Sequence, residues 1–273
     1  MIKSTPHAHT THVDGKSTAA QMVAEAVARG FDSIGFSEHG VQDFDFAYCL
    51  SEAGERNYIA EIGRLQAEHA GQIAIYLGCE RDAYSTADRT KYEYIIGSVH
   101  YLDVGGEKVA VDGLWEQLLQ TRREHFAGDG LSMAEAYFAC LAGYIEGYRP
   151  EMIGHFDLIQ KHNAGGALFD AAHRRYEAAA MAALERMANT DAIMEINTGG
   201  MARGYRDWPY PEVRWLRAWR ALGGRVALSS DCHDATKLDF GYDAAREAAL
   251  AAGYREAWAL DPRREALFVA TEI

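Results

Sequence analysis

Short apolar runs alternate with amphipathic stretches along most of this chain. Thr18 and Gln21 fit a helix-capping box. Met22, Val23, Ala26 and Val27 follow on one helical face, and Gly30 stands where a helix-ending glycine is expected. The run Ser33-Ile34-Gly35-Phe36-Ser37 then reads as a strand, 41–50 as a loop rich in Asp and aromatics, and 51–70 as a helix. The alternation continues with strands at 73–79, 94–99, 152–155, 192–197 and 226–230, and helices near 132–147, 169–189, 211–222, 241–252 and 262–270. With a further strand near 2–7 this makes seven strands. Strands separated by helices predict a parallel sheet, and 273 residues suit a single α/β barrel, with a doubly wound open sheet as the competing architecture. No low-complexity or Pro/Gly-rich linker divides the chain, so one domain is expected over 1–273.

Composition narrows the function classes. Apolar residues make up 48% and charged residues 25%, as in a folded rather than a disordered chain. Lys and Arg total 27 against 40 Asp and Glu, and a formal charge of −13 disfavours nucleic acid and anionic membrane surfaces as partners. No apolar run is long enough to cross a membrane, and the first residues lack a signal-peptide core. The four cysteines form no CxxC pair, so the expectation is a reducing, cytoplasmic setting.

The chemistry is concentrated just after the strands. His7 and His9 follow the first, Glu38 and His39 the second, Glu80 the third and His100 the fourth. His155 and Asp157 follow the fifth, Glu195 and Asn197 lie on the sixth, and Asp231-Cys232-His233 ends the seventh. In a parallel barrel the carboxyl ends of the strands converge on one face. Strand residues at i and i+2 point the same way, so His7 with His9, and Asp231 with His233, can share an ion. Taken singly, each element is compatible with a core histidine or a surface carboxylate. Seven in succession point to a mixed imidazole and carboxylate site suited to zinc, iron or manganese. His69, His125 and His173 sit in polar helical contexts and are expected to face solvent, whereas His12 and His162 lie near enough to touch a substrate.

The segments HAHTTHVDGKST, GFSEHG, LGCE, IIGSVHYLD, MIGHFDLIQKH, MEINTGGMARG and SSDCHDA, in this order, resemble the motifs of the PHP (polymerase and histidinol phosphatase) superfamily. Within it, GSVHYLD, AYFACLAGYIEG and EINTGG followed by an arginine are most similar to the monofunctional histidinol-phosphate phosphatases. The resemblance implies a distorted (βα)7 TIM-like barrel with three divalent ions. His7, His9, Glu80 and Asp231 would hold one. Glu80 would bridge to a second, also held by His100 and His155, and Asp14, His39 and His233 would hold the third. The implied reaction is hydrolysis of a phosphomonoester, L-histidinol phosphate first and another small sugar or nucleotide phosphate as the alternative. Ions of this kind lower the pKa of a bound water and neutralise phosphoryl charge.

Arg203 is the expected phosphate clamp, and Asp231 or His233 the group that moves a proton. Many relatives carry an arginine near the position of Gln160, which leaves Lys161, His162 or Arg203 to hold the phosphate here. Asp43, Phe44, Asp45, Phe46 and Tyr48 read either as a lid whose acidic residues suit a cationic alcohol or as a solvated acidic loop. An amidohydrolase-type site, which also opens with HxH, usually bridges its metals with a lysine, whereas Glu80 holds that place here. A non-catalytic or polymerase-associated module fits neither the full ligand set nor the acidic charge.

Overall fold

The capping box forms at the first helix: Gln21 N donates to Thr18 Oγ1 (3.2 Å) and Thr18 N donates to Gln21 Oε1 (2.9 Å). In the computed structural model, which describes residues 2–273, the strands run β1 (Ser4–Thr5), β2 (Ser33–Phe36), β3 (Ala74–Asp82), β4 (Tyr94–Ser98), β5 (Tyr101–Val104), β6 (Glu107–Ala110), β7 (Met152–Ile153), β8 (Ile193–Asn197), β9 (Arg225–Ser229), β10 (Glu256–Leu260) and β11 (Phe268–Glu272). The helices are α1 (Ala19–Ala28), α2 (Glu52–Glu68), α3 (Trp115–His125), α4 (Gly130–Tyr148), α5 (Arg174–Met187), α6 (Gly199–Ala202), α7 (Val213–Ala221) and α8 (Tyr242–Ala252).

Seven strands form one parallel sheet in the order β1-β2-β3-β4-β7-β8-β9. Its outer strands meet beyond β1 and β9, where Ala8 bridges Cys232, His9 N donates to Cys232 O (2.8 Å) and Cys232 N donates to His7 O (3.2 Å). The sheet is thereby a nearly closed barrel. The outward residues Ile34, Phe36, Ile75 and Ile95 pack against α1 and α2 through Met22, Val23, Tyr58, Ile62 and Leu65. Met194, Ile196 and Val226 pack against α4, α5, α7 and α8.

The inward rows position the site. Tyr76, Tyr94, Ile96, Met152, Ile193 and Ala227 fill the lower barrel together with Leu260 of the β10–β11 hairpin, which seals the amino-terminal end. The Tyr94 ring needs two glycines beside it, because a Cβ on Gly35 would stand 2.1 Å from its hydroxyl oxygen and one on Gly78 2.3 Å from its Cζ. Continuing up each row by twos leads from Tyr76 through Gly78 to Glu80, from Tyr94 through Ile96 and Ser98 to His100, from Thr5 to His7 and His9, and from Ala227 through Ser229 to Asp231.

Some expected elements differ. Residues 262–270 are not a helix. Asp261 accepts from Arg263 N, Glu265 N and Ala266 N (2.9–3.0 Å), turning the chain so that β11 pairs antiparallel with β10. The expected first strand shrinks to two residues, and the helix expected from 169 starts at Arg174, where the His173 ring accepts from Arg175 N (3.2 Å). His173 is therefore a half-buried cap rather than a free surface group. The β5–β6 hairpin and α3 stand where no element was expected.

Candidate metal centre

Glu80 is the hub. Its Oε2 lies 3.3 Å from His7 Nε2, 3.4 Å from His9 Nε2 and 3.1 Å from His39 Nδ1. Its Oε1 lies 2.9 Å from His155 Nε2 and 3.5 Å from His100 Nε2. Asp231 Oδ1 stands 3.7 Å from His7, 3.5 Å from His9 and 3.6 Å from His233. Asp14 faces His233 at 3.1 Å, His9 at 3.7 Å and His39 at 3.9 Å. All nine residues expected as ligands are thus brought to one cavity. Three sets within it have donor atoms close enough for a shared ion: His7, His9 and Glu80; His39, Glu80 and His100; and His9, Asp14, His39 and His233.

The donor set fits divalent cations. Two donors bound to one ion at about 2.1 Å stand ~3.0–3.4 Å apart, close to the separations around Glu80. His7 Nε2 and His9 Nε2 face each other at 3.0 Å, a separation that suits a proton on one ring or an ion shared by both. His9 Nδ1, Asp14 Oδ1 and His155 Nδ1 are buried without a hydrogen-bond partner among the described residues.

The electrostatics also call for positive charge. Burial would raise the Glu80 pKa, but His7, His100, His39 and His155 hold it well below the usual carboxylate range. Burial would equally raise Asp231, which Arg203, His7 and His9 keep low. His9 responds in the opposite sense. Burial would depress it, yet hydrogen bonds to Asp231 and Glu80 push it up to about 10, and Glu80 and Asp82 likewise hold His100 at about 9 against its burial. His233 is lowered, by burial first and by His9 second.

A supporting layer lies behind these side chains. Glu195 Oε2 sits 2.9 Å from His7 Nδ1, and its Oε1 accepts from His155 N (2.7 Å) and Asn197 Nδ2 (2.8 Å). An Nδ1–H held in this way leaves His7 Nε2 free to face the cavity. Glu38 accepts from Thr10 N (2.7 Å) and Thr10 Oγ1 (2.6 Å), and stands 3.8 Å from His9 Nδ1. Glu195 and Glu38 were visible as strand-end carboxylates, but the sequence does not show that they stand behind the histidines rather than beside them.

Arg203 reaches the cavity. Its Nη2 donates to Asp231 Oδ2 (2.9 Å) and its Nη1 lies 2.9 Å from His233 Nδ1. Gly199 leaves it room, since a Cβ there would fall 2.6 Å from Asp231 Oδ2 and 2.9 Å from Arg203 Nη2. Lys161 is engaged elsewhere, donating to Asp112 O (2.8 Å) and Oδ2 (3.1 Å) and lying over Tyr205. His162 packs edge-on against the Tyr205 ring, and His12 pairs with Glu61 at 2.7 Å, so neither joins the cluster. Gln160 is tied to Asp157 and Glu212. In the acidic loop, Asp45 accepts from Tyr101 Oη, Phe44 packs edge-on against Tyr101, and Phe46 and Tyr48 are exposed.

Known proteins share both the sequence and the shape. A histidinol-phosphatase of Bacillus subtilis is 25% identical over 89% of this chain and 98% of its own length. A probable histidinol-phosphatase of Schizosaccharomyces pombe is 26% identical over 88% of this chain and 83% of its own. A crystal structure from Listeria monocytogenes superposes with a TM-score of 0.76 at 19% identity, covering 88% of this chain and 99% of that one. That of histidinol phosphate phosphatase from Lactococcus lactis, complexed with zinc, L-histidinol and phosphate, superposes at 0.67 and 22% identity over 96% of this chain and 97% of its own. Residues 6–199 match the family described as PHP domain, and the chain belongs to that family.

Proposed function

We propose that this protein is a metal-dependent phosphomonoesterase whose substrate is L-histidinol phosphate. The observation that carries the reading is one buried carboxylate, Glu80, meeting five imidazoles beside a guanidinium at the open end of the barrel. Relatives named histidinol-phosphatase over nearly the full length support the substrate.

His7, His9, Glu80 and Asp231 would hold one ion, Glu80, His100 and His155 a second, and Asp14, His39 and His233 a third. When bound, such ions supply a water of lowered pKa and positive charge against the phosphoryl oxygens. The chain's own residues do the rest. Arg203, whose fork lies at the cavity edge on Asp231 and His233, binds the phosphoryl group and offsets the charge that builds on it. Asp231 or His233 moves a proton from the nucleophile or to the departing alkoxide. The carboxylates of the 41–50 loop suit the cationic amine and imidazole of the alcohol.

The test is phosphate release from a panel of phosphomonoesters by protein reconstituted with zinc, manganese or iron. Histidinol phosphate is expected to give the highest kcat/KM. A sugar or nucleotide phosphate in first place would move the assignment to that substrate, and no release from any ester would end the phosphatase reading.

A further inference from the structure

One buried cluster beside the ligand set is left unexplained. Arg206 is only 9% exposed, yet its Nε, Nη1 and Nη2 have no hydrogen-bond partner among the described residues. Its guanidinium lies 4.0 Å from the centre of the Tyr210 ring, and its Nη1 is 3.7 Å from Asp157 Oδ1, outside hydrogen-bond range. Tyr210 Oη, Asp157 Oδ1 and His155 Nδ1 are also buried and unpartnered. The Tyr210 ring is 6.4 Å from that of His155, and its hydroxyl end lies over Gly200, where a Cβ would stand 3.1 Å from the oxygen. Gly200 belongs to the short helix α6 that leads into Arg203. Tyr210 therefore adjoins a candidate ligand and the helix that leads into the candidate clamp, with Arg206 stacked on its ring.

A plain ion pair with Asp157 does not account for them. Asp157 Oδ2 is already taken by Glu212 N (3.1 Å) and Gln160 Nε2 (3.2 Å), and Oδ1 comes no closer than 3.7 Å to the guanidinium. A buried cation with unmet donors is costly, and a planar fork of donors matches a phosphoryl group. Lys161, the other cation nearby in sequence, is already engaged by Asp112. We propose that Arg206, assisted by the Tyr210 hydroxyl, binds a phosphoryl oxygen of the substrate from the His155 side, so that two guanidinium groups hold the phosphate. This rests on the phosphatase reading above.

The two reaction products separate the roles. Inorganic phosphate and L-histidinol are used as inhibitors of the metal-loaded wild type, Arg206→Met, Arg206→Lys and Asp157→Asn, with Tm and metal content measured alongside. Arg206→Met is expected to weaken phosphate inhibition about 10–100-fold, the scale of lost charge-assisted hydrogen bonds, and to leave inhibition by L-histidinol and metal content unchanged. Arg206→Lys, which keeps the charge but loses the fork, should fall between. Unchanged phosphate inhibition in Arg206→Met, or in Arg206→Lys where the methionine variant fails to fold, overturns the proposal. So does an equal loss for both products in Arg206→Met and Asp157→Asn together with a lowered Tm, which would make the pair a loop anchor. A wild type that hydrolyses no phosphomonoester would fail the phosphatase reading, whereas an active wild type beside an unaltered Arg206→Met fails only this inference.

Discussion

The two ends of the barrel are built from the same inward rows and could hardly differ more. The lower rungs carry Tyr76, Tyr94, Ile96, Met152 and Ala227 and are sealed by a hairpin. Four residues beyond Tyr76, Ile96 and Ala227 on the same rows stand Glu80, His100 and Asp231, with His100 facing Glu80 and His7 set between Glu80 and Asp231. The lower end gains from burial of apolar area. The upper end gathers carboxylates whose desolvation is offset by imidazoles facing them, or by a cation. Stability and chemistry are therefore divided along the strands rather than between separate parts of the chain.

Three substitutions would break or sharpen that division. Glu80→Gln removes the hub charge. It should lower kcat/KM by about 10³-fold or more, on the scale of losing preorganised charge, with far-ultraviolet circular dichroism unchanged. A variant near wild-type activity would detach Glu80 from the reaction. Tyr94→Ala empties the lower barrel and leaves Gly35 and Gly78 facing a void. Its expected cost is about 3–5 kcal/mol in urea unfolding, as for large aromatics truncated in a core, with kcat of the folded fraction retained. Equal damage to kcat would show that the two ends are not separable. Glu195→Ala, one layer behind the ligands, should weaken metal binding by about 10–100-fold, seen by chelator competition, while Tm in excess metal stays near wild type. Unaltered metal affinity would show that the carboxylate merely fills space.

The upper end was far more legible in the sequence than the lower. The spacing of His7 with His9 and of Asp231 with His233, each just past a strand-like run, is local information that a two-residue period translates directly into direction. The β10–β11 hairpin was not legible. Arg263-Arg264-Glu265-Ala266-Leu267 has helix-forming composition, and only the Asp261 carboxylate collecting three backbone amides turns it the other way. Helix α3 has Leu114 rather than a polar residue at its N-cap, and only Gln117 reaching back to Leu114 N (2.9 Å) caps it. Arg206 was passed over for a related reason. Its neighbours in sequence, Tyr205, Asp207 and Trp208, have no period, and what marks it out is burial against Asp157 and Tyr210. Lys161 illustrates the converse, a cation in the expected place whose charge is met by a loop that the local pattern does not reveal.

The bridge between Ala8 and Cys232 lies at the middle residue of two tripeptides, His7-Ala8-His9 and Asp231-Cys232-His233. The seam where the first and last barrel strands meet is thus flanked on both sides by donors able to grip the same cation. An ion gripped there acts as a clasp across nearly the whole length of the polypeptide, so its binding energy adds to the energy of keeping the cylinder shut. If both tripeptides hold one ion, removing it weakens the closure of the barrel and the proposed catalytic centre together.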